Sequence, residues 1–246
     1  MFALIGKPLA HSFSADFFNE KFKREGIDNK YILAPLDSIS EVTRLLDDHP
    51  DLQGFNVTIP YKQQIIPYLD ALSHEAREIG AVNVVKVSHR GGKRFLKGYN
   101  SDAIGFKNSI APLLKPDMTK ALILGTGGAS HAVEYVLRSL GIECVKVSRT
   151  PADGRIIYSD LSEAVMAAHL VIVNTTPLGT WPNTDTCPDI PYHLLSPRHL
   201  CFDLVYNPSI TLFMKKAAEN GATVKNGLEM LHLQALAAWD IWNSTD

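Results

Sequence analysis

The sequence predicts an α/β fold with mainly parallel strands, arranged as two lobes. Three observations predict it. Short apolar β-type runs alternate with helical patterns along nearly the whole chain. A strand-like Leu122-Ile123-Leu124 runs into Gly125-Thr126-Gly127-Gly128 and then into a helical pattern, the layout that opens a βαβ unit. The composition, 46% hydrophobic and 20% charged over 246 residues, is that of a chain able to bury a core.

Taken in order, residues 2–5 form the first strand, with a turn at Gly6-Lys7-Pro8. Ser14 is placed to cap a helix that carries Phe18 and Phe22 on one face and stops at Gly26. Residues 31–34 and 54–58 read as strands, with a helix over 39–46 between them. From Lys62 onward, Ile65, Ile66, Leu69 and Leu72 stand at helical spacing. Residues 81–87 are a strand, and Arg90-Gly91-Gly92-Lys93 turns it into another over 95–99. A connecting helix over 103–114 is broken by Lys115-Pro116-Asp117. After the strand at 121–124, Val133, Val136, Leu137 and Leu140 define the buried face of a helix that Gly141 ends. Strands follow at 143–148, 170–174, 200–205 and 223–225, and a long apolar helix fills 227–242.

Composition also excludes. The net charge of −2 offers no basic excess for nucleic acid and no polybasic run for an anionic membrane, so neither partner is expected. No apolar stretch approaches the ~20 residues of a membrane span. The opening Met-Phe-Ala-Leu-Ile-Gly has no cationic leader. Cys144, Cys187 and Cys201 sit in no CxxC or Cys/His pattern. They read as reduced thiols of a cytoplasmic protein without a metal site.

The glycine-rich turn carries a mechanism. Gly125 permits a tight turn, and Gly127 lets backbone approach a pyrophosphate held at the helix N-terminus. A glycine run alone is compatible with a plain turn; the strand–turn–helix–strand context points to a dinucleotide. An NAD site offers a carboxylate about 20 residues past the glycines, at the end of the second strand. Here that strand ends in Ser148-Arg149-Thr150, which suits a 2′-phosphate, with Arg155 as a second charge. The expected cofactor is NADP; the competing reading makes Arg149 a solvated surface charge.

Four polar clusters interrupt apolar segments: His11-Ser12-Phe13-Ser14, Asn56 through Lys62, Gly80-Ala81-Val82-Asn83, and Gly98-Tyr99-Asn100-Ser101-Asp102. Most stand at or near a strand, and open α/β sheets place ligands beyond the C-terminal strand ends. Their hydroxyls, amides, amine and carboxylate suit a small polyhydroxylated acid. Each also has a plain reading: Ser14 or Asp102 as a helix cap, Asn56 and Asn83 satisfying local backbone, Lys62 solvated, His11 structural.

Together the clusters resemble the shikimate dehydrogenase family. Its Ser-x-Ser matches Ser12 and Ser14, its Asn-Val-Thr-x-Pro-x-Lys matches Asn56 through Lys62, and its Gly-Ala-Val-Asn matches Gly80 through Asn83. Its Asn-Thr-Asp-Gly region resembles Asn100-Ser101-Asp102, its Asn-Ala-Thr-Pro-Leu-Gly resembles Asn174 through Gly179, and its Asp-x-x-Tyr-x-Pro resembles Asp203 to Pro208. Its Gly-x-x-Met-Leu-x-x-Gln-Ala matches Gly227 to Ala235. The chain departs from the common pattern at Ala15, His74, Ser101 and Ser148.

The resemblance implies NADP-dependent interconversion of 3-dehydroshikimate and shikimate. It implies that Ser12 and Ser14, helped by Tyr206, hold the substrate carboxylate, and that Thr58, Asn83, Asp102 and Gln234 bind ring hydroxyls. Lys62 and Asp102 would be the catalytic pair. Gly125, Thr126, Gly127, Gly128 and Ala129 would cradle the pyrophosphate, and Ser148, Arg149 and Thr150 the 2′-phosphate. Thr176, Leu204 and Gly227 would border the nicotinamide. Reducing a ketone by hydride leaves an alkoxide that needs a proton, which a lysine coupled to a carboxylate can donate and take back. The implied fold is an N-terminal α/β substrate domain over 1–101, with a C-terminal helix over 226–246 returning to it, and a Rossmann-like NADP-binding domain over 102–225. A monomer or homodimer is expected. Three competing readings differ in chemistry: a quinate/shikimate dehydrogenase using NAD or NADP, a methylenetetrahydrofolate dehydrogenase-like enzyme, and a non-catalytic NADP-sensing regulatory protein. The Ser-x-Ser pair has no evident task in the second, and the third needs no Lys–Asp pair.

Overall fold

A computed structural model describes residues 1–9 and 12–245. By contact density the chain divides into two units, Met1–Ser101 with Ala235–Asp246, and Asp102–Gln234.

The first unit is built on a six-stranded sheet. Its elements are β1 (Phe2–Gly6), α1 (Phe13–Glu25), β2 (Tyr31–Pro35), α2 (Val42–Asp48), β3 (Gly54–Val57), β4 (Ala71–Leu72), α3 (His74–Ile79), β5 (Val84–Arg90) and β6 (Lys93–Tyr99). The strand order is β2-β1-β3-β5-β6-β4. β1 pairs in parallel with β2 and β3, whereas β5 runs antiparallel to β3 and forms a hairpin with β6. β1 and β3 are buried at every position, as strands covered on both faces must be. Gly26 ends α1 in the left-handed region, at φ 65°.

Two expectations fail here. The apolar spacing after Lys62 does not make an α-helix: residues 60–65 form turns, followed by a 3-10 turn (Ile66–Tyr68) and the short strand β4. Pro60 and Pro67 cannot donate backbone hydrogen bonds, and the apolar side chains pack instead as successive turns over the sheet. Ser14 is not a cap either, because α1 begins one residue before it and Ser12 holds the N-cap position. The short helix α3, capped by the Ser73 hydroxyl on Ala76 N at 3.1 Å, adds to the predicted elements.

The second unit holds α4 (Ser101–Ile110), β7 (Lys120–Leu124), α5 (Gly128–Ser139), β8 (Glu143–Ser148), β9 (Arg155–Ile157), α6 (Glu163–Ala168), β10 (Val171–Asn174), β11 (Leu200–Asp203), α7 (Leu212–Glu219), β12 (Thr223–Lys225) and α8 (Leu228–Asn243), whose C-terminal part belongs to the first unit. Its sheet is parallel throughout, in the order β12-β11-β10-β7-β8-β9. Counted from β7, that is the doubly wound order, which reverses between β7 and β10 and opens a crevice beyond their C-terminal ends. β9, α6 and α7 are elements the sequence patterns do not announce. On α5, Val133, Val136 and Leu137 are buried as predicted, while Leu140 becomes the half-buried C-cap before Gly141. No helix among the described residues is long and apolar enough to cross a membrane.

Candidate functional site

In the first unit, Asn56, Thr58 and Asn83 lie where β3 ends and the antiparallel β5 begins. Ser12 adopts an extended conformation before α1 and offers its side chain to no cap hydrogen bond. Ser14, in the first turn, hydrogen-bonds to the Tyr31 hydroxyl. That hydroxyl donates to Asn56 Oδ1 at 2.7 Å, and Asn56 Nδ2 donates to the Asn83 carbonyl at 3.1 Å. Burial pushes the Tyr31 hydroxyl well above its ordinary range, with the Ser14 bond working in the opposite direction, so Tyr31 stays neutral and keeps its proton to donate. His11 lies outside the described residues.

Thr58 follows β3, with its backbone N–H on Ile5 O at 2.9 Å. A Cβ built on Gly6 would stand 2.4 Å from Thr58 Cγ2, so only glycine lets the end of β1 approach Thr58 this closely. The carbonyl of Lys62 accepts Val82 N at 2.7 Å, and that of Asn83 accepts Val57 N at 2.9 Å. These two backbone bonds draw Thr58, Lys62 and Asn83 together. Lys62 is half-buried and Asn83 buried.

The Asn83 side chain has a further task. Its Oδ1 accepts Ser101 N at 2.7 Å and its Nδ2 donates to Ser101 Oγ at 3.0 Å. The amide thus satisfies the start of α4, and Asp102 is not a cap but a half-buried residue of the first turn.

The second unit places Asp102 and Gln234 on two helices that cross at glycine. A Cβ on Gly105 would meet Met230 O at 2.6 Å and Gln234 N at 2.9 Å, so α4 and α8 touch through their backbones. Gln234 is buried and donates through Nε2 to Leu231 O at 2.9 Å. Tyr206, in the loop after β11, is exposed.

The glycine-rich turn lies at the strand-order reversal. Gly125 has φ 109°, open to glycine alone, and its hydrogens face Thr175 Oγ1 and Thr176 Cγ2 in the loop after β10. Gly127 is the N-cap of α5 and supplies no side-chain acceptor. A Cβ on Gly127 would meet nothing within 4 Å, so this end of the helix is open beside backbone N–H groups. Gly128 and Ala129 form the first turn of α5, and Thr126 is half-buried beside it. These are the features a pyrophosphate needs.

At the end of β8, Ser148 is buried and its hydroxyl donates to the Thr150 carbonyl. Arg149 and Thr150 are exposed, the strand end itself carries no carboxylate, and the Arg149 charge reaches the Tyr158 hydroxyl. The donor set fits a phosphate monoester better than a ribose diol. Leu204 and Gly227 are also brought together: a Cβ on Gly227 would lie 2.1 Å from Leu204 O, and Gly227 N donates to Val205 O at 3.1 Å.

Sequence reasoning missed the polar groups beneath these loops. Tyr31, Asn174 and Asp203 are buried and carry hydrogen bonds into the site segments, yet none has an assigned role. The signal for Asp203 is a carboxylate closing the apolar run Leu200-Cys201-Phe202. All three cysteines are free thiols, and burial pushes those of Cys144 and Cys201 up to about 12.

Comparison with known proteins matches this architecture along nearly its whole length. A family model described as the shikimate dehydrogenase substrate binding domain matches residues 4–85. A shikimate dehydrogenase (NADP(+)) of Carboxydothermus hydrogenoformans is 35% identical over 258 residues, spanning 97% of this chain and 90% of that protein. The crystal structure of shikimate dehydrogenase from Aquifex aeolicus superposes with a TM-score of 0.85 at 34% identity, over 98% of this chain and 91% of the other. That of the Thermus thermophilus shikimate 5-dehydrogenase, in complex with NADP(H) and shikimate, gives 0.84 at 31% identity over 98% and 92%.

Proposed function

The chain belongs to the shikimate dehydrogenase family, and from that premise we propose how its residues perform the chemistry. It is an NADP-dependent oxidoreductase that interconverts 3-dehydroshikimate and shikimate. NADP, when bound, accepts the hydride in one direction and donates it in the other. Every other contribution comes from the chain.

Ser12 and Ser14 hold the substrate carboxylate at the start of α1, with the Tyr206 hydroxyl as a third donor. Thr58, Asn83 and Gln234 orient the ring hydroxyls. Lys62 serves the reacting oxygen as general acid when the ketone is reduced and as general base in reverse, and Asp102 is the second catalytic residue, acting on a ring hydroxyl. The residues 125–129 seat the pyrophosphate, Arg149 and Thr150 the 2′-phosphate with Ser148 shaping their turn, and Thr176, Leu204 and Gly227 the nicotinamide side. With its thiols reduced, the enzyme acts in the cytoplasm.

The observation that supports the catalytic half is the convergence of the Thr58, Lys62 and Asn83 segments through the Val82 N–Lys62 O and Val57 N–Asn83 O backbone bonds, which bring the three main-chain positions together. Replacing Lys62 by Ala lowers turnover by at least ~10²-fold with NADP affinity retained, the scale of lost general acid–base catalysis. Turnover near that of the parent overturns the assignment. Side-by-side rates with shikimate and quinate, each with NADP and NAD, test the substrate and cofactor choice.

A further inference from the structure

Two loops carry the nicotinamide-side and carboxylate-side groups named above: 175–180 after β10, with Thr176, and 204–211 after β11, with Leu204 and Tyr206. Beneath them lies a continuous buried polar chain. Asn174 and Asp203 stand opposite each other in the β10–β11 register, and both are 0% exposed. Asp203 Oδ1 accepts Asn174 Nδ2 at 2.9 Å and Val205 N at 3.0 Å, while Oδ2 accepts Thr211 Oγ1 at 2.6 Å. Thr211 Oγ1 in turn accepts Met214 N at 3.2 Å and so caps α7. On the other side, Asn174 Oδ1 accepts both Thr176 N at 3.0 Å and Thr176 Oγ1 at 2.6 Å. Thr176 Oγ1 accepts Leu178 N at 3.3 Å. The same loops meet through Trp181 N on Asn207 O at 3.0 Å.

The choice of residue at the centre is informative. Two carboxylate oxygens face three donors and no cation partner is among them. A buried carboxylate is costly to keep, and an apolar residue would suit the interior better if only packing were at stake. What an acceptor-only group provides is a junction at which donors from three segments meet. The Thr211 bond closes the 204–211 loop on its own first strand, with Tyr206 between the two ends.

We propose that Asp203 is a positioning residue, acting with Asn174 and Thr211 to hold the loops that bear Thr176, Leu204 and Tyr206 in register for substrate. The proposal rests on the reading of those three residues given above. It assigns Asp203 no contact with substrate or cofactor.

Thr211→Val in the full chain tests it, because the swap removes the hydroxyl tie and keeps the volume, and Thr211→Ser is the conservative control. Substrate KM, turnover, NADP binding and thermal melting are measured for each, alone and in a Tyr206→Phe background. Thr211→Val raises the shikimate KM about 10-fold, the scale of one well-placed hydrogen bond, with turnover held within about threefold. NADP affinity falls less than the shikimate KM rises, since the pyrophosphate and 2′-phosphate seats lie on other loops and only the nicotinamide side is touched, and Thr211→Ser restores the parent KM. Tyr206→Phe raises the shikimate KM, and in that background Thr211→Val adds no more than about twofold, because the two substitutions then remove the same contact. A shikimate KM within about twofold of the parent in Thr211→Val, with Tyr206→Phe impaired, overturns the positioning role alone, as does full additivity of the two effects. An unchanged KM in Tyr206→Phe overturns the underlying reading of Tyr206 and the proposal with it.

Discussion

Replacing Gly127 by alanine separates what the protein needs from what its ligand needs. Gly127 has φ −77° and ψ 179°, backbone that alanine adopts without strain. No atom of the protein lies within 4 Å of the added methyl. The cost to folding is therefore confined to the poorer N-cap, below about 1 kcal/mol. For a pyrophosphate the same methyl stands in the path to the first turn of α5. Phosphate oxygens reach backbone N–H groups at about 2.8 Å, so a methyl needing more than about 3 Å forces the anion back by on the order of 1 Å. Losing one charge-assisted bond costs about 1.5–3 kcal/mol, which is a rise of roughly 10- to 150-fold in NADP Kd. Fluorescence titration with NADPH measures Kd, and melts with and without cofactor measure the rest. The expected pattern is a melt for the free protein lowered by no more than about 4 °C, with a much smaller NADP-induced increase. Gly125→Ala is the internal contrast: at φ 109°, with Thr175 Oγ1 at 2.8 Å from the new Cβ, it destabilises the free protein. An NADP Kd within about twofold of the parent in Gly127→Ala refutes the cradle.

Three further outcomes follow from other parts of the structure. Arg149→Asp puts a carboxylate at the end of β8 and moves the kcat/KM ratio from NADP toward NAD by about 10²-fold, the worth of a charge-assisted phosphate contact; an unmoved ratio makes Arg149 a surface charge. In Gly54→Ala the new Cβ lies 2.4 Å from Trp242 Cδ1 and Nε1, and the indole can no longer keep its 3.1 Å bond to Val85 O. Overpacking of about 1–3 kcal/mol plus about 1 kcal/mol for the bond sets the expected fall in unfolding free energy by urea titration, and an unchanged midpoint contradicts the packing. Burial holds the Asp203 carboxyl at about 6 rather than 3.8, so folding favours its protonated form. Its stabilising effect is complete below pH ~4 and is lost as pH rises through ~6, on the order of 3 kcal/mol in all. Cys201, at about 12, and Tyr192, also raised by burial, stay neutral across that interval. Asp203→Asn therefore flattens the stability–pH slope between pH ~4 and ~7 by that order, and parallel slopes for parent and variant contradict it.

How far the sequence can be read depends on which interactions shape each segment. The run of residues 122–137 is legible throughout because every level agrees: apolar strand, glycine at the one positive φ, then helical spacing with Val133, Val136 and Leu137 buried. The segment after Lys62 misleads for the opposite reason. Ile65, Ile66, Leu69 and Leu72 have helical spacing, but Pro60 and Pro67 deny the backbone its bonds, and tertiary burial absorbs the same side chains as turns. The site divides along the same line. Residues proposed to meet a ligand announce themselves as polar groups at strand ends, so Ser12, Thr58, Lys62 and Asn83 can be picked out from the chain. Residues that hold those groups are read only through partners distant in sequence: Asn56 is tied to Tyr31, Asn83 to Ser101, and Asp203 to Asn174. No local pattern encodes those pairings, since they depend on the order in which strands and helix starts are brought together by the sheet. A motif therefore names the surface of such a site, and the sheet order decides which buried carboxylate or amide gives that surface its shape.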